Sequence, residues 1–343
     1  MHTTLFVVLK IKSMKKYAIY AGVDISKNSL DICLLCADHP KEMKHERISN
    51  DEKSIRKFLK TVIAENIILC MEDTGVYGLP LCYVLEESRL DYTVVPAIHI
   101  KRSRGLKRGK TDKADAKDIV NYVFTHIHEI RLSHLPEEDL QELRLLLSER
   151  DKLVAAIKMF ESTKETLPYF PKKTCNSTRK NNDKTIRQLK KQLTDIEESL
   201  ATLTRSNETM NEQMTLLQSI PGIGPQTARL LISYTRCFTS FDNWRQFACY
   251  AGIAPFEYQS GTSIKGKTKV SHFAQKRLKS AIHLAALTFK KHDAEMKKYF
   301  ERKVEEGKNK MLILNAIRCK LIARAFAVIN RKTPFVNTQK FAA

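Results

Sequence analysis

The stretch Lys16–Leu35, KYAIYAGVDISKNSLDICLL, decides the fold of the N-terminal part of this sequence. A mostly apolar run, Tyr17–Val23, ends in Asp24, and the polar turn Ser26–Ser29 separates it from a second apolar run, Leu30–Leu35. Two such runs joined by a short polar turn predict a β-hairpin. Its first strand ends in a carboxylate, whose burial is costly unless a cation such as a metal ion compensates it. A solvated loop aspartate is the alternative interpretation.

The amino-acid composition points to a negatively charged partner. The 343-residue chain holds 59 Lys and Arg against 38 Asp and Glu, a formal net charge of +21. Such a surplus favours a polyanion, most simply nucleic acid, over a small metabolite. Basic ribosomal and membrane-surface proteins share this charge, but a hydrophobic content of 43% argues against a disordered basic tail. The length suggests two or three domains with a sizeable core.

Other features of the composition predict a cytoplasmic, nucleoid-associated protein. No apolar run approaches the ~18 residues of a membrane span, so we expect no membrane partner. Residues 1–13 are too short and too poorly flanked for a signal peptide; because Met14 and two lysines make a more natural start, we interpret them as a disordered extension. Cys33 and Cys36 point to opposite faces of a predicted strand, and no second pair completes a zinc site. We therefore expect the eight cysteines to be reduced core thiols.

Three strands and two helices are predicted after the hairpin. They are a strand at Lys44–Ser49, a helix at Asp51–Ala64, a strand at Asn66–Glu72, a helix at Leu79–Glu87 and a strand at Tyr92–Ala97. The strand that ends in Glu72 is continuously apolar, as expected of a strand buried on both faces. Strands in series, followed by strands that alternate with helices, predict a mixed α/β sheet. Glu72, like Asp24, is then a carboxylate at a strand end.

A basic segment precedes a pair of aspartates. The cations of this segment, which contains no acid, are Lys101, Arg102, Arg104, Lys107, Arg108 and Lys110. Thr111 and the next residues open a helix that runs to about His126, and on it Asp112 and Asp115 share one face. An aspartate N-cap with a second aspartate in the first turn would also complement the helix dipole. Two carboxylates behind six cations nevertheless favour a functional site.

From Pro136 the pattern becomes helical. Heptad spacing over Glu137–Leu167 and again over Ile186–Leu217, interrupted at Asn207, predicts two long helices, and the segment between them, Pro168–Asp183, reads as a loop. The two helices would form an antiparallel coiled-coil hairpin, paired within the chain or between protomers. Ordinary helix packing is the alternative.

The C-terminal part of the chain holds further nucleic-acid signals. Leu216–Ser233 reads as helix, Pro-Gly-Ile-Gly turn and helix, which resembles a helix-hairpin-helix; its Gly222 and Gly224 would let backbone N–H groups approach a phosphate. A helix at Asn243–Ala251 leads to a turn around Ser260. A basic stretch follows it, in which we expect phosphate contacts from Lys265, Lys267 and Lys269. Helical pattern resumes from about Phe273, and a last helix is predicted at Lys310–Val328.

The carboxylates Asp24, Glu72, Asp112 and Asp115 now stand at two strand ends and one helix start. Phosphoryl transfer on DNA with two Mg²⁺ ions needs such a supply of hard oxygen ligands. The order of acid, β-hairpin, strand and acid is that of the RNase H-like fold.

Several motifs together resemble one family. They are GVDISK around Asp24, MEDTGVYG around Glu72, KTDKADA around Asp112 and Asp115, IPGIGPQTA, and YAGIAPFEYQSG with its basic continuation. In this order they resemble the DEDD insertion-sequence transposases, the bridge-RNA-guided recombinases, from about Tyr17 to Phe289. The resemblance implies a RuvC-like RNase H-fold domain over residues 14–132, a coiled-coil hairpin over 133–212, a mainly helical C-terminal transposase domain with the helix-hairpin-helix over 213–330, and a tail over 331–343.

The resemblance also implies roles and partners. The four acids would bind the metal ions, whereas Asp73 is disfavoured because it lies on the other side of the strand from Glu72. Ser260 matches the family's serine nucleophile, with Ser263 as a fallback. The implied partners are donor and target DNA, a structured guide RNA and further copies of the chain in a dimer or tetramer.

Three other functions compete with this interpretation. A RuvC-like junction resolvase would use the same acids with water, which leaves the segment around Ser260 without a purpose. In a non-enzymatic helix-hairpin-helix protein the acids would be caps and loop charges. An actin-like sugar kinase suits the first hairpin, but the sequence lacks the second Gly-rich phosphate loop, and a charge of +21 does not suit that activity.

Overall fold

The computed structural model describes residues 17–62, 66–103, 105, 111–260, 264–270 and 274–336, with the backbone alone for 258–260, 264, 265, 267 and 268. The predicted extension at residues 1–13 therefore lies outside the described residues. The chain divides into two compact units, Met1–Leu135 and Pro136–Ala343. Among the described helices, none is long and apolar enough to cross a bilayer.

The first unit is built around a five-stranded mixed sheet. Its strands are β1 Ile19–Ile25, β2 Ser29–Cys36, β3 Met43–Ser49, β4 Ile67–Glu72 and β5 Asp91–Val95. Their order across the sheet is β3-β2-β1-β4-β5. The first three strands pair antiparallel, and β4 and β5 run parallel to β1. This arrangement confirms the predicted hairpin and the RNase H-like mixed sheet.

Helices cover both faces of this sheet. They are α1 Glu52–Val62, α2 Leu79–Glu87, α3 Ala97–Ser103 and α4 Asp112–Thr125. On one face α1 and α2 pack against Ala21, Val23 and Met71, and on the other α3 and α4 pack against Tyr20 and Cys70. Because side chains alternate along a strand, the second face is also the one that Asp24 and Glu72 share. The strand predicted to reach Ala97 ends at Val95, since Pro96 cannot donate to the ladder.

The second unit is mainly helical. Its elements are α5 Glu138–Thr166, α6 Lys172–Ser206, α7 Glu208–Gln218, α8 Pro225–Thr235, α9 Trp244–Tyr250, β6 Pro255–Ser260, β7 Ile264–Val270, α10 Lys276–His292, α11 Ala294–Glu305 and α12 Lys310–Arg331. One core joins the base of the α5–α6 hairpin to the other helices, with Leu147, Leu200, Phe247, Phe289 and Ile317 fully or nearly fully buried in it.

The loop predicted at Pro168–Asp183 is wrong, because α6 already begins at Lys172. Prolines confine the break between the helices to a short turn that ends at Pro171, and the polar residues beyond it include neither glycine nor proline. Cys175 is buried, and Asp183 pairs with Lys164 of α5 at 2.6 Å. Contacts with α5 therefore hold a sequence of modest helix propensity in a helix.

The cysteine prediction is correct for half of the thiols. All eight cysteines are free, and Cys33, Cys70, Cys82 and Cys175 are buried. Cys249 is exposed and the other three are partly buried.

Candidate active site

Two parallel strands place the first two acids side by side. β1 and β4 pair in parallel, with Val23 opposite Met71, so that Asp24 and Glu72 follow at the same edge of the sheet. Both are partly buried and lie on the face covered by α4. Asp73 lies on the other face, as predicted, and its Oδ1 accepts a hydrogen bond from the Gly75 N–H at 3.2 Å. The strand ends therefore bring Asp24 and Glu72 together.

A glycine lets α4 approach this edge. A Cβ added at Gly22 would lie 2.3 Å from the Val120 nitrogen and 2.4 Å from the Ala116 oxygen, so only glycine allows the backbones to come this close. The contact with Ala116 brings the first turn of α4, which carries Asp112 and Asp115, toward Asp24 two residues along β1.

The side chain of Thr111 caps α4. Its Oγ1 accepts from the Ala114 N–H at 3.2 Å. The sequence allowed an aspartate as the N-cap of this helix, but the N-cap is Thr111. Asp112 and Asp115 remain in the first turn, where they complement the helix dipole. Neither carboxylate is the N-cap of α4.

The pKa of Asp24 is raised from 3.8 to about 6. Burial is the largest cause of this shift, and the negative charges of Asp115, Asp112, Glu72 and Asp31 account for the rest. Each of these neighbours is a carboxylate, so ionisation of Asp24 adds a negative charge to a cluster that is already negative. A bound cation would relieve this repulsion.

Sequence reasoning missed one acid of this cluster, Asp31. It faces Asp24 across the β1–β2 hairpin and is buried, with His45 Nε2 at 3.1 Å and Arg47 Nε at 3.5 Å from its carboxylate. Arg47 also lies 3.9 Å from Asp112. The hairpin pairs Ile25 with Leu30, so the next pair away from the turn is Asp24 with Asp31. Extending the predicted hairpin by this one pair would have identified Asp31 from the sequence.

The four predicted acids suit Mg²⁺ ions that also take ligands from outside the protein. Within the described part of the chain, no three His, Cys, Asp or Glu side chains stand close enough together to hold an ion. Mg²⁺ is usually held by one or two carboxylates, with waters and substrate phosphates as its other ligands. The four predicted acids therefore fit ions that bind together with substrate phosphates, and they do not form a complete protein cage.

Substituting Gly22 tests the placement of α4. In Gly22→Ala the new methyl group would meet backbone atoms of α4, and we expect a loss of at least about 3 kcal/mol in the free energy of unfolding. Gly78→Ala is the matched control, because its Cβ would meet only side-chain atoms, at 3.5 Å and 3.7 Å. Urea unfolding measures both variants. Equal stability of the two would contradict the close contact between β1 and α4.

Ser260 lies at the end of a strand that was not predicted. β6 and β7 form an antiparallel hairpin in which Ser260 pairs with Ile264. Ser260 is therefore the last residue of β6, and Gly261 and Ser263 of the predicted turn lie outside the described residues. The side chains of Ser260, Lys265 and Lys267 are not among those described, whereas Lys269 is exposed. The strand β7 was not predicted because its three lysines alternate with polar and small residues.

The two glycines of the predicted helix-hairpin-helix differ in their surroundings. A Cβ at Gly222, whose φ is +93°, would lie 2.5 Å from the Ala285 oxygen, so close packing on α10 accounts for this glycine. A Cβ at Gly224 would meet no described atom within 4 Å. Gly224 is the N-cap of α8, and this helix start is the more accessible position for a phosphate.

Arginines gather beside this helix start. With its amide oxygen facing them, Gln226 in the first turn of α8 accepts from Arg150 Nε at 3.0 Å and Arg229 Nη1 at 3.2 Å. Burial lowers the pKa of Arg229; Glu197 opposes this effect, and Arg150 and Arg205 add to it. Two arginines at the first turn of a helix, one of them paired with Glu197 at 2.8 Å, add positive charge to the end that favours anions. The predicted basic segment is only partly described: Lys101 and Arg102 are exposed on α3, whereas Arg104, Lys107, Arg108 and Lys110 lie outside the described residues.

Comparison with protein families matches two parts of the chain. A transposase family of the DEDD IS110 type matches residues 21–165, which include the four predicted acids. A second, described as the transposase IS116/IS110/IS902 family, matches residues 214–301, which include Ser260.

Individual proteins are similar over different lengths. The pilin gene-inverting protein of Moraxella bovis is 27% identical in an alignment 335 residues long that covers 92% of this chain and 97% of that protein. The transposase for insertion sequence element IS1533 of Leptospira borgpetersenii is 30% identical over 139 residues, 40% of each chain. A solved structure of T. thermophilus RuvC with a Holliday junction substrate covers 34% of this chain and 99% of its own, but its 9% identity and TM-score of 0.27 carry no weight.

Proposed function

Because the chain belongs to the IS110 family of insertion-sequence transposases, we propose that it cuts and rejoins donor and target DNA by Mg²⁺-assisted phosphoryl transfer. Asp24, Glu72, Asp112 and Asp115 would hold the ions, of which two are expected. The gathering of these carboxylates around Asp24, whose pKa is raised to about 6, is the observation that supports this proposal most. The net charge of +21 suits a protein that holds nucleic acid.

The acids would act as follows. Mg²⁺ held by these carboxylates would supply charge neutralisation at the scissile phosphate and would help to orient the nucleophile. Asp24 would ligate as its carboxylate, and a bound cation would favour that ionised form over the neutral form that burial and the neighbouring acids favour. His45 and Arg47 contact Asp31, which pairs with Asp24 across the hairpin. Because Arg47 also lies near Asp112, it can hold Asp31 and Asp112 in position on either side of Asp24.

Ser260 would be the nucleophile. Its oxygen would attack the phosphorus, the bond to one DNA oxygen would break, and the hydroxyl proton would pass to a base or to the leaving oxygen. The covalent phosphoserine keeps the energy of the broken phosphodiester for rejoining, which hydrolysis does not. The match of the surrounding residues to the family motif supports this role, as does the location of Ser260 at the end of β6. Lys265, Lys267 and Lys269 on β7 would hold neighbouring phosphates.

We expect recombination to require a structured RNA, the guide that the family resemblance implies. Protein purified from cells that express it with the DNA flanking its gene should carry a discrete RNA. Digestion with RNase should then abolish recombination of a labelled donor with its target, and adding the RNA back should restore it. A control digestion with inactivated RNase should leave recombination unchanged. Full recombination after RNA is removed would reject the guide and leave the DNA chemistry untouched.

We expect the α5–α6 hairpin to join copies of the chain into a dimer or tetramer. Much of the heptad stripe is used within the chain, since Leu200 is buried in the core. Leu145 and Met159, two heptads apart on α5, are instead exposed by 68% and 62% and suit contact with another copy. Leu145→Glu with Met159→Glu should lower the mass in light scattering, whereas Leu284→Glu, at an equally exposed leucine on α10, should not. An unchanged mass would leave the hairpin as intrachain packing.

A further inference from the structure

The C-terminal unit contains a cavity of about 940 Å³ between α9, the base of the β6–β7 hairpin and the N-terminal half of α12. Its walls include Trp244, Phe256, Met311 and Leu312, and its size is that of a pocket for a small organic molecule. Phe256, Met311 and Leu312 are each about half exposed, so the cavity presents an apolar surface to solvent.

The polar groups of the lining are cationic or neutral. Arg245, Arg318 and Asn315 line the cavity, and among the described residues no carboxylate does. The guanidinium of Arg245 lies 5.0 Å from the centre of the Trp244 ring. An apolar, aromatic cavity with two arginines and no acid selects a flat ligand that carries hydrogen-bond acceptors or negative charge.

Arg318 places a positive charge at the wall of this cavity. It is 7% exposed; its Nη1 donates to Asn315 Oδ1 at 3.3 Å and its Nη2 lies 2.5 Å from His283 Nδ1. Its Nε is buried and has no hydrogen-bond partner among the described residues. This Nε has almost no accessible surface, so Arg318 contributes the positive charge of its guanidinium at the cavity wall, and the exposed Arg245 is the donor that a ligand can reach.

We propose that this cavity binds one nucleobase unstacked from the nucleic acid that the protein holds. The apolar walls would take the faces of the base, and arginine would donate to its acceptor atoms, as it does to O6 and N7 of guanine. The cavity borders the pair Pro255–Val270 at the base of the hairpin, whose other end carries Ser260. A strand bound along β7 therefore passes the cavity. This proposal rests on the proposed function, since the base belongs to DNA or RNA that the recombinase engages.

Trp244 is the single tryptophan of the chain, so its fluorescence reports on this cavity directly. We expect titration with a single-stranded oligonucleotide to quench it saturably, and a fully paired duplex of the same length to quench it several-fold less. Single-stranded DNA and RNA in parallel titrations identify which strand supplies the base. Equal quenching by single strands and duplex would overturn the proposal.

Two variants remove opposite kinds of contact. Phe256→Ala should weaken the quenching affinity about tenfold, as expected for loss of one stacking contact, and Arg318→Gln should weaken it as well. Because Phe256 is exposed, its variant remains informative if the buried Arg318→Gln fails to fold. Tyr169→Ala, at an exposed aromatic residue outside the cavity, should bind as wild type does. Unchanged affinity in Phe256→Ala would overturn the proposal.

Two further measurements separate this proposal from its competitors. A fall in the mass of Phe256→Ala in light scattering, with unchanged oligonucleotide affinity, would assign the cavity to contact between copies and overturn base binding. Recombination assayed on the same preparations distinguishes the two proposals: normal recombination without quenching rejects only the base site, whereas wild type that neither binds nor recombines DNA rejects the proposed function.

Discussion

Asp24→Asn is expected to reduce recombination at pH 8 in Mg²⁺ by at least about 10²–10³-fold, the loss typical of removing one electrostatic contact to a transition state. The substitution removes the proposed metal ligand and keeps the size and shape of the side chain. Glu72→Gln, Asp112→Asn and Asp115→Asn should behave alike, because all three carboxylates raise the pKa of Asp24. Conversion of labelled donor and target DNA to recombinant product measures the effect. EDTA should abolish the activity of wild type.

Asp73→Asn is the matched control for these variants. Asp73 follows Glu72 directly but lies on the other face of the strand, where its carboxylate accepts from the Gly75 N–H. We expect this variant to keep most of the wild-type recombination. Wild-type activity in Asp24→Asn and Glu72→Gln, or full activity in EDTA, would remove the two-metal mechanism.

Stability distinguishes a lost ligand from a lost fold. The pKa of Asp24 is raised in the folded protein from 3.8 to about 6, so the folded state binds this proton more tightly than the unfolded state does. The free energy of unfolding of metal-free wild type should therefore fall as pH rises from about 4 through 6. At pH 8 in EDTA, Asp24→Asn should be more stable than wild type by about 1 kcal/mol, after allowance for solvent screening of a half-exposed group. If Asp24→Asn were less stable than wild type under these conditions, the ionised Asp24 carboxylate would not destabilise the folded protein.

The two strand-end acids were predictable because their surroundings are local in sequence. An apolar run that ends in a carboxylate is visible without knowledge of the sheet, and this sufficed for Asp24 and Glu72. Asp31 was missed because it sits within the second apolar run, and only the register of the hairpin places it opposite Asp24. The role of Gly22 depends on α4, which follows it by about ninety residues, so no local pattern reveals it.

The C-terminal unit shows a second limit of sequence reasoning. In β7 three lysines alternate with small and polar residues, and β6 is only six residues long, with Phe256 and Tyr258 as its aromatic positions. A short two-stranded hairpin of this kind has little local signature. The cavity beside them joins Trp244 to Leu312 and Arg318 of a helix far along the chain. Long-range packing decides such features, whereas periodicity sufficed for the long helices themselves.

Ser260→Ala is expected to abolish recombination while DNA and RNA binding stay at wild-type strength. The variant removes one hydroxyl oxygen at the end of β6 and leaves the pairing of Ser260 with Ile264, which uses only backbone atoms. A recombinase that conserves phosphodiester energy through a covalent link cannot turn over once its nucleophile is removed. Wild type incubated with labelled donor and target DNA and then denatured should retain label on the protein, and Ser260→Ala should retain none. Mass spectrometry should map the phosphoserine to Ser260.

Ser263→Ala serves as the matched control, because it removes the same hydroxyl group three residues away. It should keep activity and form the adduct. An adduct on Ser263 in wild type would move the nucleophile to that residue and keep the covalent mechanism. DNA nicked with free ends, with no adduct on any residue, would mean that water attacks the phosphate. The same carboxylates would then serve a hydrolytic junction resolvase, since metal ions held by Asp24 and its neighbours would support attack by either nucleophile.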